Sequence, residues 1–364
     1  MQARPDLSGV HAFPGRFFRR AMLGVAAAML ASTAARAGTP YVVGDVFAAV
    51  GNGQVKEFTP AGTLVQTLND TTASTYTTGM CFDQAGNFFV TNISLTSVSK
   101  FDNSGNVINA NFLTGLTTPE SCVLDSAGNI YVGEAHISEI KKFSSTGTLL
   151  ATYNTPGGSD WIDLAADQCT LYYDDEGSAI HRFNACTNTQ LTDFASGLPG
   201  GHYALRILPN GGVIVAAGAQ VQLLDATGTV VSNYTAAGES LFFALNRDPN
   251  GTQFWTGGIT TGIIYKFNFS PVGPPVTTFN SAPFSLLAGL SVFGELVISQ
   301  PTPTPTGTVL PTATPTTVPP TATPTATRTP TPGQVVLVPT LSFPMLVLLG
   351  LALVGAALFA IMKR

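Results

Sequence analysis

The chain has 364 residues, of which only 10% are Asp, Glu, Lys or Arg, and its net charge is −5. Ordinary globular domains carry about 25% charged residues. No basic run lies beyond the N-terminal region, so the positive face that nucleic-acid binding needs is missing and no nucleic-acid partner is expected.

Residues 1–37 read as a secretory signal peptide. Arg16, Arg19 and Arg20 precede an apolar run from Ala21 to Leu30, and Ala35-Arg36-Ala37 places small residues at −3 and −1 of a cleavage point. The mature chain then starts near Gly38. The pair Arg19-Arg20 leaves two routes open, an ordinary secretory leader or a twin-arginine one.

Residues 38–299 carry a repeat. An apolar residue, a spacer, often a cation and then a Phe recur as Val55-Lys56-Glu57-Phe58, Val98-Ser99-Lys100-Phe101, Ile140-Lys141-Lys142-Phe143, Ile180-His181-Arg182-Phe183, Val221-Gln222-Leu223-Leu224 and Ile264-Tyr265-Lys266-Phe267. The anchors fall at 58, 101, 143, 183, 224 and 267, so the period is 40–43 residues. A second phrase precedes several copies: Asp83-Gln84-Ala85-Gly86-Asn87 before Phe88-Phe89-Val90, and Asp125-Ser126-Ala127-Gly128-Asn129 before Ile130-Tyr131-Val132. Asp or Asn with Gly supplies a hairpin turn, and the aromatic and β-branched residues supply a strand. Four short strands, a to d, in about 40 residues are the mark of a propeller blade. The expected fold is all-β: a six-bladed β-propeller. The first copy lacks strand a, and Leu290-Ser291-Val292-Phe293 is expected to replace it and close the ring.

These phrases resemble the NHL-repeat propellers and, more loosely, the gluconolactonase-like propellers. The resemblance implies the fold. The looser one also implies a metal held by Glu, Asn and Asp from separate blades.

Export places the four cysteines where disulfides persist. Cys169 begins strand b of the fourth blade and Cys186 follows strand c, so antiparallel pairing brings them together. Cys81 and Cys122 lie on strand a of adjacent blades, two and three residues before the turn Asp. That parity either bridges them across the blade interface or leaves two buried thiols.

Loops b–c and d–a share the face around the central channel, where the ligands of propellers usually bind. Asn92, Glu134 and Asp175 occupy equivalent b–c positions, with Asp174 beside the last; Ala217 and Gly257 follow in blades five and six. Glu120, Asp160 and His202 lie near the entries to strand a. Clustered carboxylates suit a divalent cation such as calcium, the one cofactor candidate, and unequal carboxylates suit acid–base work. Solvated polar loops account for the same residues without a ligand, and on that reading Glu134→Ala and Asp175→Ala leave folding nearly unchanged. The repeated cations Lys100, Lys142, Arg182 and Lys266 are expected to form a solvated outer stripe, with His181 exposed beside them. Trp161 and Trp255 are expected to pack blades.

Residues 300–336 are nearly all Pro, Thr and Ala through the stretch 301–333, and bury no core, so a disordered stalk is expected. In 337–364, Val338-Pro339-Thr340-Leu341-Ser342 precedes an apolar run from Phe343 to Met362 and the cations Lys363-Arg364. Twenty apolar residues reach about 30 Å as a helix, enough to cross a bilayer core. Motif, apolar helix and basic tail resemble the IPTL-CTERM and PEP-CTERM sorting signals, which implies a sorting protease as partner; a plain membrane anchor is the alternative. The functional expectation is a non-catalytic binding or structural module displayed outside the membrane for an extracellular ligand. Its rival is a metal-dependent lactonase or hydrolase of the gluconolactonase kind.

Overall fold

The computed structural model describes residues 38–281 and 286–295. The signal segment, the stalk and the C-terminal segment fall outside them, and no described helix is long and apolar enough to cross a membrane. Six four-stranded antiparallel sheets form the six blades. The inner strands are Gly289–Val292, Thr77–Phe82, Pro119–Leu124, Ile162–Leu164, Leu205–Ile207 and Phe242–Arg247, in ring order, each touching its neighbours round the ring. As expected, the last of these in sequence completes the first blade: Gly289–Val292 pairs antiparallel with Val46–Gly51, Val292 opposite Val46 and Gly289 opposite Ala49.

The repeats build the blades in a direct way. Asp83 accepts the amides of Ala85 and Asn87 at 2.9 and 2.8 Å, and Gly86 closes the turn at φ +80°, where a Cβ is strained. Asp125 and Gly128 repeat this geometry at φ +79°. The anchors Phe58, Phe101, Phe143, Phe183, Leu224 and Phe267 are all buried. The core sits between blades: Phe47 and Val55 of the first pack with Phe88 and Phe101 of the second. Trp255 and Trp161 are core residues, as expected.

The cation stripe is not a solvated one. Lys100 lies 5.1 Å from the Phe89 ring centroid, Lys142 4.7 Å from Tyr131 and Lys266 4.8 Å from Trp255. Register explains this: each cation sits directly across the b–c ladder from its aromatic. The stems cover rings while the heads reach turn acids, Lys142 to Asp125 at 3.0 Å and Lys266 to Asp248 at 2.7 Å. Asp248 also accepts Trp255 Nε1 at 2.9 Å in the core. Asp248→Ala strands both donors and should destabilise the propeller by about 2–3 kcal/mol, read as a lower Tm; an unchanged Tm would refute the role.

Both disulfides are present. Cys81–Cys122 joins inner strands of the second and third blades, and Cys169–Cys186 closes a 17-residue separation within the fourth. Such bonds belong to an oxidising, extracytoplasmic setting.

Candidate functional site

Strand alternation divides the predicted site residues into two groups. The first is absorbed by its own blades. Asn92 is fully buried, and its Nδ2 donates to Asp70 Oδ2 at 2.7 Å and to Ser99 Oγ at 2.8 Å. Glu134, also fully buried, accepts from the amides of Thr117 and Thr118 at 2.9 and 2.6 Å and from Lys141 Nζ at 2.8 Å. Asp175 accepts the Gly177 amide at 3.0 Å and faces His181 Nε2 at 3.6 Å. His181 in turn sits 2.8 Å from Asp193 and is half-buried, not exposed. His202 is buried between the Gly177 carbonyl, 2.9 Å from Nδ1, and Gln222 Oε1, 3.4 Å from Nε2. The spacer of strand c, whether Ser99, Lys141, His181 or Gln222, thus serves a polar group inside its blade. Glu134 has a buried partner in Lys141, so Glu134→Ala should destabilise the fold, against the expectation of little change.

The second group is Glu120, Asp160 and Asp174, which the fold brings together at the upper end of the channel. Asp160 lies two residues before the inner strand of the fourth blade, and its amide donates to the Asp174 carbonyl at 3.0 Å. Asp174 occupies the strand-b position held by Ala49, Thr91, Gly133, Ala216 and Gly257 in the other blades, where only small side chains otherwise occur. Its side chain is completely buried, and neither carboxyl oxygen makes a hydrogen bond of normal geometry. Asp160 Oδ1 is likewise buried without a partner.

Electrostatics follow from this packing. Burial pushes Glu120 well above the usual carboxylate range, and Asp160 and Glu176 push it further. Burial also pushes Asp174 well up, with Asp160 and Glu120 adding; the Glu176 amide offsets only part of this. Asp160 is pushed up to about 6, by burial first and then by Glu176, with His136 opposing. Tyr203, raised by burial and then by Glu176 and Asp174, faces the same cluster. Among the described residues, other buried acids have partners: Glu134 has Lys141, Asp248 has Lys266, and Glu239 accepts from Ser240, Leu241 and Thr261. Three titratable ligands do not converge on one point here or elsewhere in the described residues. The cluster is therefore a patch of unmet negative potential, not a formed metal cage.

Sequence reading passed over the other end of the channel. There Glu295, just past the closing strand, accepts from Arg206 Nε at 3.0 Å, Asn246 Nδ2 at 2.6 Å and the Arg247 amide at 2.6 Å. Asp163 Oδ2 accepts the Ile207 amide at 2.8 Å, and burial pushes Asp163 to about 6. A signal existed: Asp163, Arg206 and Asn246 hold the same register position in three consecutive inner strands, where Cys81, Val123 and Ser291 stand in the rest.

No family model matches this chain, and no curated protein matches it. Many solved structures share the fold. One, titled "Crystal structure of Nidogen/Laminin Complex", superposes with a TM-score of 0.59 at 16% identity, covering 69% of this chain and 99% of that one. That likeness defines the class as a six-bladed β-propeller; at this identity it carries the fold alone.

Proposed function

We propose that this is an exported, membrane-anchored display module whose upper channel mouth binds a positively charged group, either a divalent cation or an ammonium borne by an extracellular ligand. The observation that carries the reading is Asp174, a fully buried carboxyl with neither oxygen in a hydrogen bond of normal geometry, grouped with Glu120 and Asp160. A charge kept at a stability cost, where other blades place Thr, Gly or Ala, is a functional-site signature. The lactonase reading has less support, because Asn92 and Glu134 already spend their polar atoms within their own blades.

The test is a pair of pH-dependent melts. A carboxyl whose folded pKa is raised stabilises the fold below its unfolded pKa, near 4, and loses that contribution as pH rises through the folded value. For Asp160 the window runs from about 4 to about 6 and corresponds to about 3 kcal/mol; for Glu120 and Asp174 it extends higher. Glu57, raised to about 8 by burial, and Asp163 act with the same sign. Tm should therefore fall between pH 5 and pH 8, less steeply in Asp174→Asn. Calcium chloride or cadaverine should restore Tm at pH 8 in the native chain and not in the variant. Failure of both cations to shift Tm at pH 8 would sink the proposal.

A further inference from the structure

The first blade breaks the pattern of the cation stripe. Glu57 stands where four other blades place Lys100, Lys142, Arg182 and Lys266, directly across the ladder from Phe47. Lys142 and Lys266 meet turn acids from that position. Glu57 meets an acid as well: its carboxyl lies in hydrogen-bond contact with the carboxyl of Asp45. Both residues are buried, Glu57 completely, and Glu57 Oε1 finds no donor. Lys56, next along the strand, takes the opposite face and donates to the Ser281 carbonyl at 2.8 Å. No lysine or arginine stands among the groups that act on Glu57. Two buried carboxyls in contact repel unless a proton lies between them, so this geometry requires the pair to hold one.

The pair fastens segment 39–45, which leads into the first blade. Glu57 Oε2 accepts from Gln66 Nε2 at 2.6 Å. The same nitrogen donates to the Thr39 carbonyl at 2.8 Å, and Gln66 Oε1 accepts the Thr39 amide at 3.2 Å. Asp45 Oδ2 accepts the Val42 amide at 3.0 Å. Between these points the Tyr41 amide donates to the Asn103 carbonyl at 3.1 Å. The Tyr41 ring lies against Phe47, Phe82, Phe88 and Phe293, with centroids 4.8–6.1 Å apart.

We propose that Glu57 and Asp45 form a proton-held latch: with one proton shared they clamp segment 39–45 over the aromatic cluster, and loss of that proton to solvent frees the segment and uncovers the rings beneath Tyr41. The titratable groups around the latch agree with this. Burial raises Glu57 to about 8, with Gln66 opposing and Asp45 adding. Tyr41 is held well above its ordinary value, by burial first and then by Glu57 and Asp102, so it stays neutral while Glu57 titrates. Asp102 is engaged by the amides of Ser104 and Asn106, both at 2.9 Å. The closed state is therefore favoured in acid. Its advantage shrinks as pH rises above the ordinary glutamate value, about 4, and is lost by about 8.

Hydrogen exchange on the full chain tests the latch, read as protection factors corrected for the intrinsic pH dependence of amide exchange. Protection of the Tyr41 and Val42 amides should fall about tenfold per pH unit between pH 5 and pH 8 and level off above. Glu57→Gln keeps the shape and supplies a permanent donor to Asp45, so it should abolish that slope while leaving exchange at Val90 and Val132 unaltered. A flat protection profile at Tyr41 and Val42 in the native chain would overturn the proposal, and so would a slope retained there by a folded Glu57→Gln protein. Should that variant not fold, the native profile alone decides.

Discussion

Glu295→Ala should lower the stability of the propeller by about 3–5 kcal/mol and its Tm by about 10 °C. A propeller whose first blade is completed by its last strand has one vulnerable seam, here the short ladder between Gly289–Val292 and Val46–Ala49. Glu295 stands three residues past Val292 and ties that seam to the fifth and sixth blades through Arg206, Asn246 and the Arg247 amide. The Arg206 side chain is 11% exposed, and its charge is held mainly by Glu295, with Asp163 second. Removing the carboxylate leaves that guanidinium buried beside a second one. Burying an uncompensated charge costs far more than losing a surface ion pair. Glu295→Gln keeps the shape and one acceptor oxygen and should lose roughly half as much. Amide exchange should quicken first in Val46–Ala49 and Gly289–Val292, the strands that the latch secures. A Glu295→Ala protein melting within 2 °C of the native chain would show that the ladder closes the ring unaided.

The latch illustrates which features the sequence made legible. Period and turn chemistry are local, so blade number, strand order and the closing strand follow from the phrases around Phe58 and Asp83. The Cys169–Cys186 disulfide was legible for the same reason, because pairing across one turn is local; for Cys81 and Cys122 parity along the strand left a bridge and two buried thiols both open, and the structure decides for the bridge. The partners of polar groups were not. Asn92, Glu134 and Asp175 share a position in the repeat, yet Asn92 is consumed by Asp70 and Ser99 while Glu134 is consumed by Lys141. Those bonds depend on the spacer of strand c and on loops whose path no periodicity sets. Asp174 differs from Asp175 by one residue, and that single step turns it to the opposite face of the sheet and into the interior. The sequence groups the two; the pleat separates them. The lower cluster was hidden because its members lie scattered over 163–295 and meet only once the ring is closed.

Removal of both disulfides should destabilise the propeller by about 7 kcal/mol, enough to bring a domain of ordinary stability near unfolding at 37 °C. The Cys81–Cys122 bond spans a sequence separation of 41 and Cys169–Cys186 one of 17. Loop-closure entropy assigns them about 4 and about 3 kcal/mol. They share no partner, so their contributions should nearly add. The first acts at the more exposed point of the architecture. Neighbouring blades are joined by side-chain packing and not by a backbone ladder, since each sheet contains the four strands of one blade. Cys81 and Cys122 place a covalent tie across such a joint, beside the buried Phe89 and Val132. The second restrains the fourth blade, whose outermost strand is only Thr189–Gln190 and gives its edge little support. Thermal melts with and without reductant, repeated on Cys81→Ala/Cys122→Ala and on Cys169→Ala/Cys186→Ala, separate the two terms. The expected order is native chain, then the variant lacking the shorter loop, then the variant lacking the longer one, with the reduced native chain lowest. A reduced protein melting within 3 °C of the oxidised one would mean that packing alone holds the blades. The oxidising setting inferred from these bonds would then have no consequence for stability.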